Sequence, residues 1–339
     1  MARVCWLLIL GLLIASLGSI AAQSSDGQAD AGAHTRPAAQ RTVDDPGEGS
    51  GAAGDIAFID NLRSRSYGGG DIQVVRVLQD TPAFTRYLIQ YPSDGLMVGG
   101  FMNVPKGVPQ PYPAVIVAHG YVNPSNYAVV NYTAPLADAL ARAGYLTVHP
   151  NYRNHTGSDS GPNPFRAGYA VDVLNLAAIL KQRPDVKTDG IGILGHSMGG
   201  GVALKALVAG SDIRAAVLYG AMSGDEAENF AAIQRWSGGT GTRETPYTPT
   251  GDAEAFRRAS PVNYLDAVQV PVQIHHGSAD NQVPPAWSAD LDTRLQAAGK
   301  NVELFTYPGA PHFFPAGSAA YNSMIARVIR FFDKHLYET

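Results

Sequence analysis

The fold of this chain can be inferred outward from one stretch, "DGIGILGHSMGGGVALKALVAG", residues 189–210. Its beginning, residues 189–195, is a short apolar run bounded by glycine, which predicts a buried strand. Its end, residues 200–210, is rich in alanine, leucine and valine and predicts a helix. Ser197 stands between them in a Gly-x-Ser-x-Gly pattern. A turn of this kind holds a serine on a tight bend at the carboxyl end of a sheet, so Ser197 is a candidate nucleophile.

Two other structures share features of this turn, namely a phosphate-binding loop and a plain helix cap. A phosphate loop would need a G-x-x-x-x-G-K-[ST] or G-x-G-x-x-G arrangement after the first strand of its unit, and this turn has neither. The glycines two positions before and after Ser197 instead predict a crowded backbone, because a side chain at either place would meet neighbouring strands.

The same alternation of apolar runs and helix-like stretches extends from about Asp55 onward. Predicted strands cover 85–92, 95–105, 112–120, 145–153, 189–195, 215–222, 270–277 and 302–309. Predicted helices cover 134–144, 166–184, 200–210 and 319–336. Strands that are apolar on both faces and alternate with helices predict an α/β fold, a mostly parallel twisted sheet with helices on both faces. The first two strands have no helix between them and predict an antiparallel start, and residues 223–269 predict a small cap insert.

A serine needs a base and an oriented acid to act as a nucleophile. His312 lies in "YPGAPHFF" after the strand 302–309, and Asp280 lies in "HHGSADNQVP" after the strand 270–277. Taken singly, Asp280 could be a turn residue and His312 a loop histidine. The order Ser197, Asp280, His312, with each residue after its own strand, is the order of an α/β-hydrolase triad. These three residues are therefore the predicted catalytic residues.

An acyl-transfer site also needs two N–H donors for the oxyanion. The amide of Met198, directly after the nucleophile, is the first candidate. The amide of Tyr121 is the second, because "HGY" follows the strand 112–120 and Gly120 makes room there. The alternative for His119 and Gly120 is an ordinary turn at the end of a strand.

Charge and cysteine content exclude several classes of protein. The net charge of −4 and the pI near 6.1 provide no basic footprint for nucleic acid. No carboxylate or second histidine lies at ligand spacing from His119, so no metal site is predicted, and no cofactor motif is found. The single cysteine, Cys5, lies in the N-terminal apolar segment, so the predicted mature chain contains no disulfide.

The N-terminus predicts export. Residues 1–22 combine a positive start, an apolar run and small residues before a cleavage site, as in a secretory signal peptide. The alternative is an uncleaved membrane anchor, because the apolar run is only slightly short of spanning length. Residues 23–54 are small, polar and rich in glycine and proline, and predict a flexible linker. The expected organisation is a secreted or periplasmic protein with one catalytic domain over residues 55–339.

These motifs bring the chain close to a known family. "AHGYVNPSNY", "GYLTVHPNYRNHTGSDSG", "GILGHSMGGGVALKAL", "ASPVNYLDAVQVPVQIHHGSADNQVPP" and "GKNVELFTYPGAPHFF" resemble the catalytic domain of the prolyl oligopeptidase (S9) superfamily, close to its acylaminoacyl-peptidase-like and dienelactone-hydrolase-like branches. The resemblance implies the α/β-hydrolase fold, the triad named above and an acyl-enzyme intermediate.

One departure bears on the substrate. Oligopeptidases of this family usually carry a β-propeller before the hydrolase domain, whereas here a linker and a short segment precede the match. The departure favours an esterase acting on a small-molecule ester. A serine peptidase acting on short peptides is the alternative, and a non-catalytic binding protein of the same fold is the remote one.

Overall fold

The computed structural model describes residues 56–210, 212–238 and 252–337. The predicted signal segment and linker lie outside these residues, as does the middle of the predicted insert. Among the helices of the described ranges, none has both the length and the hydrophobicity of a membrane span.

One nine-stranded sheet runs through the described residues. Its strands are β1 (Gln73–Asp80), β2 (Phe84–Ser93), β3 (Leu96–Pro105), β4 (Tyr112–Ala118), β5 (Leu146–Pro150), β6 (Val186–His196), β7 (Ala215–Tyr219), β8 (Val272–Gly277) and β9 (Val302–Tyr307). Their order across the sheet is β1-β2-β3-β5-β4-β6-β7-β8-β9. The first three pairings are antiparallel, and every pairing from β5–β4 to β8–β9 is parallel. The predicted mostly parallel sheet with an antiparallel start is confirmed.

Eight α-helices accompany this sheet in the described ranges. They are α1 (Ile59–Arg63), α2 (Ala134–Arg142), α3 (Ala167–Gln182), α4 (Met198–Ala209), α5 (Glu226–Trp236), α6 (Ala253–Ala259), α7 (Pro285–Ala297) and α8 (Ala319–Phe332). Helices α1, α5, α6 and α7 were not among the predicted helices, although α5 and α6 lie within the predicted insert. The predicted C-terminal helix ends at Phe332, and a π-helical turn over Asp333–Tyr337 follows it.

Alternate residues of the central strands belong to two different cores, because successive side chains of a strand point to opposite faces. Ile116 and Ile193 belong to a large core with the apolar residues of α3 and α4. Val117 and Leu194 belong to a second core with those of α2 and α8. The central strands are therefore covered on both faces, and their carboxyl ends are the part of the sheet where a site can open.

A buried ion pair connects the loop after β5 to helix α3. The guanidinium of Arg153 contacts the carboxylate of Asp172 at 2.8 Å, and their side chains are 2% and 0% exposed. The carboxylate also accepts hydrogen bonds from Ser93 Oγ at 2.7 Å and from the Arg153 amide at 2.8 Å. The guanidinium also donates to Pro162 O at 3.0 Å. Both charges are thus compensated within the protein.

Removing one of these charges should cost far more stability than removing an exposed one. We expect Asp172→Asn to lower the free energy of unfolding by roughly 3–5 kcal/mol, because Arg153 would remain buried without a counter-charge. The control is Asp212→Asn, whose pair with Lys181 has side chains 31% and 45% exposed and should change stability by about 1 kcal/mol or less. Urea unfolding of both variants measures the difference, and equal losses would contradict it.

The described parts of the predicted insert pack beside α4. Lys205 of α4 donates hydrogen bonds to Glu226 at 2.8 Å and to Ala259 O at 2.8 Å. Glu226 also pairs with Arg166, which precedes α3. Burial opposes ionisation of Glu226, but the two cations prevail and lower its pKa below the usual value. This charge cluster attaches α5 and the end of α6 to the helix that begins at the candidate nucleophile.

Candidate active site

Ser197 occupies the bend between β6 and α4. Its φ and ψ are 56° and −119°, a conformation that is strained for any residue with a side chain. The bend is held from both sides, since the Ser197 amide donates to Tyr219 O at 2.9 Å and the Met222 amide donates to Ser197 O at 3.0 Å. A Cβ at Gly199 would overlap the Ala118 carbonyl. The turn is therefore a strained strand–serine–helix bend at the carboxyl edge of the sheet.

Asp280 and His312 are brought together by the loops that follow β8 and β9. His312 Nδ1 lies 2.6 Å from Asp280 Oδ2, and both residues are buried. The loops are also joined through their backbones, because the Ser278 amide donates to Tyr307 O at 2.9 Å and the Ala279 amide donates to Ala310 O at 3.0 Å. Asp280 and His312 are thus in direct contact, and their roles as acid and base stay predictions.

The environment of Asp280 favours its ionised form. Burial alone would raise the pKa of this carboxyl, but hydrogen bonds from His276, His312 and the Val283 amide outweigh burial and hold the pKa well below its usual range. A carboxylate at this position fixes the hydrogen of His312 on Nδ1 and leaves Nε2 available to accept a proton.

His196, next to the candidate nucleophile, contacts His312 and is shielded from solvent. Its Nε2 lies 3.2 Å from His312 O, and the two rings are 4.7 Å apart. A carbonyl oxygen only accepts, so Nε2 carries the hydrogen and Nδ1 accepts one from Tyr132 Oη at 3.0 Å. Burial lowers the pKa of His196 to about 3, so the ring is neutral near pH 7. The contact of His196 with Tyr132 was not predicted from the sequence.

Within the described ranges, Ser197 Oγ and His312 form no hydrogen bond with each other, so the third contact of a triad is not formed. Ser197 is nevertheless adjacent in sequence to His196, whose ring packs against that of His312. Catalytic hydrogen bonds are often long in unliganded enzymes and tighten when substrate binds. The structure therefore places the three predicted residues at one edge of the sheet and joins two of them directly.

The predicted oxyanion donors belong to two segments near Ser197, the start of α4 and the loop after β4. Met198 is the first residue of α4, where amides have no intrahelical acceptor. Tyr121 follows Gly120 in the loop after β4 and is 54% exposed. A Cβ at Gly120 would collide with Tyr132 Oη and come within 2.9 Å of Ser197 Cβ. The loop after β4 thus passes directly over the nucleophile, and the roles of the Met198 and Tyr121 amides stay predictions.

The contact at Gly120 leads to a testable expectation. Gly120→Ala should lower kcat/KM for hydrolysis by about 100-fold. The added methyl group would push the Ser197 side chain away from the position from which it can attack the substrate. Gly201→Ala is the matched control, since its Cβ would have an ordinary contact of 3.6 Å with Met222. The control should keep full activity in a hydrolysis assay, and unchanged kcat/KM in Gly120→Ala would contradict the expectation.

The other histidines downstream of Ser197 have different surroundings. His275 is hydrogen-bonded to Tyr307 Oη at 2.8 Å and to Gln273 Oε1 at 2.8 Å. His276 contacts Asp280 directly, with Nε2 at 3.0 Å from Oδ2. This contact was missed, although the spacing of the two residues around a strand end was visible in the sequence. No cluster of three or more potential metal ligands occurs in the described ranges.

Solved structures share this architecture. The chain superposes on acetyl xylan esterase 1 from Thermoanaerobacterium sp. with a TM-score of 0.60 and 18% identity, covering 85% of this chain and 93% of that one. It superposes on the acylaminoacyl peptidase of Pyrococcus horikoshii with a TM-score of 0.59 and 19% identity, covering 81% of this chain and 51% of that one. The sheet, the helices on both faces and the serine turn thus define an α/β-hydrolase fold, as predicted.

Relatives in sequence define the class and the family. The chain is 28% identical over 235 residues to the uncharacterized peptidase YtmA of Bacillus subtilis, covering 68% of this chain and 86% of that protein. It is 26% identical over 268 residues to a Synechocystis protein described as "Putative carboxymethylenebutenolidase", covering 74% of this chain and 96% of that protein. With the fold and the site, these matches define a serine hydrolase. Residues 135–339, more than half of the chain, match the model of the prolyl oligopeptidase family, and the chain belongs to that family.

Proposed function

We propose that this chain is a secreted serine esterase that cleaves carboxylic esters through an acyl-enzyme intermediate. The observation that supports the proposal most is the 2.6 Å contact between His312 Nδ1 and Asp280 Oδ2 at the sheet edge that carries Ser197. A buried carboxylate paired with an imidazole beside a strained serine is the arrangement that acyl transfer requires.

The proposed mechanism uses the residues of this chain alone. Ser197 Oγ attacks the carbonyl carbon of the ester while His312 Nε2 accepts the serine proton. The amides of Met198 and Tyr121 donate to the oxyanion, and helix α4 places positive dipole charge beside it. His312 returns the proton to the leaving alcohol, and water then cleaves the acyl-enzyme by the same steps. Asp280 stabilises the charged imidazole in both halves, and no metal or organic cofactor takes part.

Two similar proteins support an ester as the substrate. The chain covers 93% of a protein named acetyl xylan esterase and 96% of a protein described as a putative carboxymethylenebutenolidase. The opposing observation is the match to the prolyl oligopeptidase family, together with the peptidase name of the Bacillus relative. A serine peptidase acting on short peptides is therefore the second candidate, with the same three residues in the same roles.

Export is the remaining part of the proposal. It rests on the charged start, apolar run and small residues of segment 1–22. N-terminal sequencing of the protein recovered from outside the cytoplasm should begin near Gln23. A protein that keeps Met1 and sediments with membranes would favour the uncleaved anchor instead.

The substrate class can be decided with one panel of assays. Short- and medium-chain p-nitrophenyl esters and aminoacyl-p-nitroanilides are offered in parallel to the wild type and to Ser197→Ala. We expect rapid ester hydrolysis, slow or absent anilide hydrolysis, and loss of both in the variant. Anilide hydrolysis with a higher kcat/KM than that of the esters would establish the peptidase alternative.

A further inference from the structure

We propose that His276 is a positioning residue that holds the Asp280 carboxylate in the orientation required by His312. The inference deepens the proposed function and rests on it, because it assigns His276 a role toward the catalytic pair. His276 lies in β8, one residue before the strand ends, and is 1% exposed.

The hydrogen bonds of Asp280 are the first part of the argument. Its Oδ1 accepts from the amides of Gln282 at 2.8 Å and Val283 at 2.9 Å. Its Oδ2 is shared by two imidazoles, His312 Nδ1 at 2.6 Å and His276 Nε2 at 3.0 Å. Backbone amides thus hold Oδ1, whereas two side chains, His276 and His312, hold Oδ2. Without His276 the carboxylate could turn about its anchored oxygen, and the oxygen facing His312 would lose its alignment.

Both ring nitrogens of His276 have hydrogen-bond partners. Its Nε2 faces Asp280 Oδ2 and, at 3.1 Å, the carbonyl oxygen of Val283. Both are acceptors, so Nε2 carries a hydrogen. Its Nδ1 lies 2.7 Å from Ser288 Oγ, and within the described ranges that hydroxyl has no other hydrogen-bond partner. The Ser288 hydroxyl is satisfied when it donates to Nδ1, and this arrangement keeps the Nε2 hydrogen directed at Asp280 Oδ2.

The position of Ser288 is the third part of the argument. Ser288 lies in the first turn of α7 and is 2% exposed. The chain of contacts therefore runs from α7 through Ser288 and His276 to Asp280 and ends at His312. The titratable groups along this chain of contacts are Asp280 and His312. His196 is a third titratable group, and it contacts His312. Helix α7 thereby fixes the position of Asp280, which lies in a loop. Precise orientation of a catalytic group requires such support from a rigid element.

Two substitutions separate positioning from mere burial. His276→Leu removes the donor to Asp280 Oδ2. His276→Gln keeps an N–H donor at about the place of Nε2. The matched control is His275→Leu, because His275 is the adjacent strand residue, is 0% exposed and bonds Tyr307 and Gln273 instead of Asp280. Each variant is assayed for kcat and KM on a p-nitrophenyl ester, for melting temperature, and for the downfield proton resonance of the His312–Asp280 hydrogen bond.

We expect His276→Leu to lower kcat by about 10- to 100-fold with KM little changed, the size of effect found when the partner of a functional side chain is removed. The downfield resonance should shift upfield or vanish. His276→Gln should recover most of kcat and the resonance. His275→Leu should lower the melting temperature without changing kcat or the resonance.

The outcomes distinguish this inference from the proposed function. If the wild type shows Ser197-dependent hydrolysis and His276→Leu keeps both kcat and the resonance, the inference is wrong and the proposed function stands. If kcat falls equally in His275→Leu, or if His276→Gln recovers nothing, His276 is only structural and the inference is again wrong. If the wild type shows no Ser197-dependent hydrolysis, the proposed function fails and the inference fails with it.

Discussion

Replacing Ser197 with alanine should lower kcat for ester hydrolysis by about four to six orders of magnitude, which is the range for loss of a serine nucleophile. The reason is that Ser197 Oγ is the atom proposed to form the acyl bond, and His312 has no other nucleophile to activate except water. The residual rate should come from binding and oxyanion stabilisation alone. Active-site titration with purified protein and stopped assays at high enzyme concentration measure so large a loss.

A second serine provides the control for this substitution. Ser223 lies after β7 and is buried, and its hydroxyl contacts Glu228 and accepts from the Asp225 amide at 3.0 Å. Ser223→Ala should retain kcat within a few-fold. Ser197→Ala should unfold at a temperature close to that of the wild type, whereas Ser223→Ala should unfold at a somewhat lower temperature because it loses two hydrogen bonds. A Ser197→Ala protein that kept more than a hundredth of the wild-type kcat would contradict the proposed mechanism.

Replacing Asp280 with asparagine should lower kcat by about 10⁴-fold, the size of the effect when a triad carboxylate becomes an amide. The charge that stabilises protonated His312 is lost. In the wild type, an imidazole nitrogen of His276 and one of His312 both donate to Oδ2. The side-chain amide of asparagine would present an N–H group to one of these two nitrogens. His312 would then adopt the wrong tautomer and could not accept the proton of Ser197.

The matched control for this substitution is Asp290→Asn on helix α7. Asp290 pairs with Arg294 on the surface, and their side chains are more than half exposed. This control should keep kcat unchanged and alter stability by less than about 1 kcal/mol. The measurement is kcat at saturating ester concentration near neutral pH for both variants. If Asp280→Asn loses less than tenfold, Asp280 is not the catalytic acid partner.

The central sheet could be predicted because its strands are apolar on both faces. Runs such as "YPAVIVA" and "GIGILG" have no other stable location than a strand covered by helices on both sides. Strand β1 escaped prediction because it lies at the sheet edge, pairs only with β2 and has two irregularities in its register. Its valines are about half exposed, so no face of β1 carries an alternating apolar pattern.

Helix α7 escaped prediction for a related reason. Only three of its residues are buried, Ser288, Leu291 and Leu295, and the remaining positions are largely polar or charged. A weak apolar stripe of this width does not distinguish a helix from a polar connection. The burial of Ser288 against His276 is a tertiary fact that no local pattern contains.

The residue types of the site could be predicted more fully than their contacts. Ser197, Asp280 and His312 follow three different strands, and parallel strands bring their carboxyl ends to one edge. The contacts of Tyr132 with His196 and of His276 with Asp280 depend on ring positions that only packing fixes. Tyr132 lies in a loop 64 residues before its partner, where sequence spacing provides no signal.

The central claim is that Ser197 is an activated nucleophile, and covalent labelling tests it most directly. The purified protein is treated with a fluorophosphonate probe, digested and analysed by mass spectrometry, with Ser197→Ala and heat-denatured wild type as controls. We expect one adduct, on Ser197, formed only by the folded wild type. A folded protein that stays unlabelled, or that carries the adduct on another serine, would contradict it.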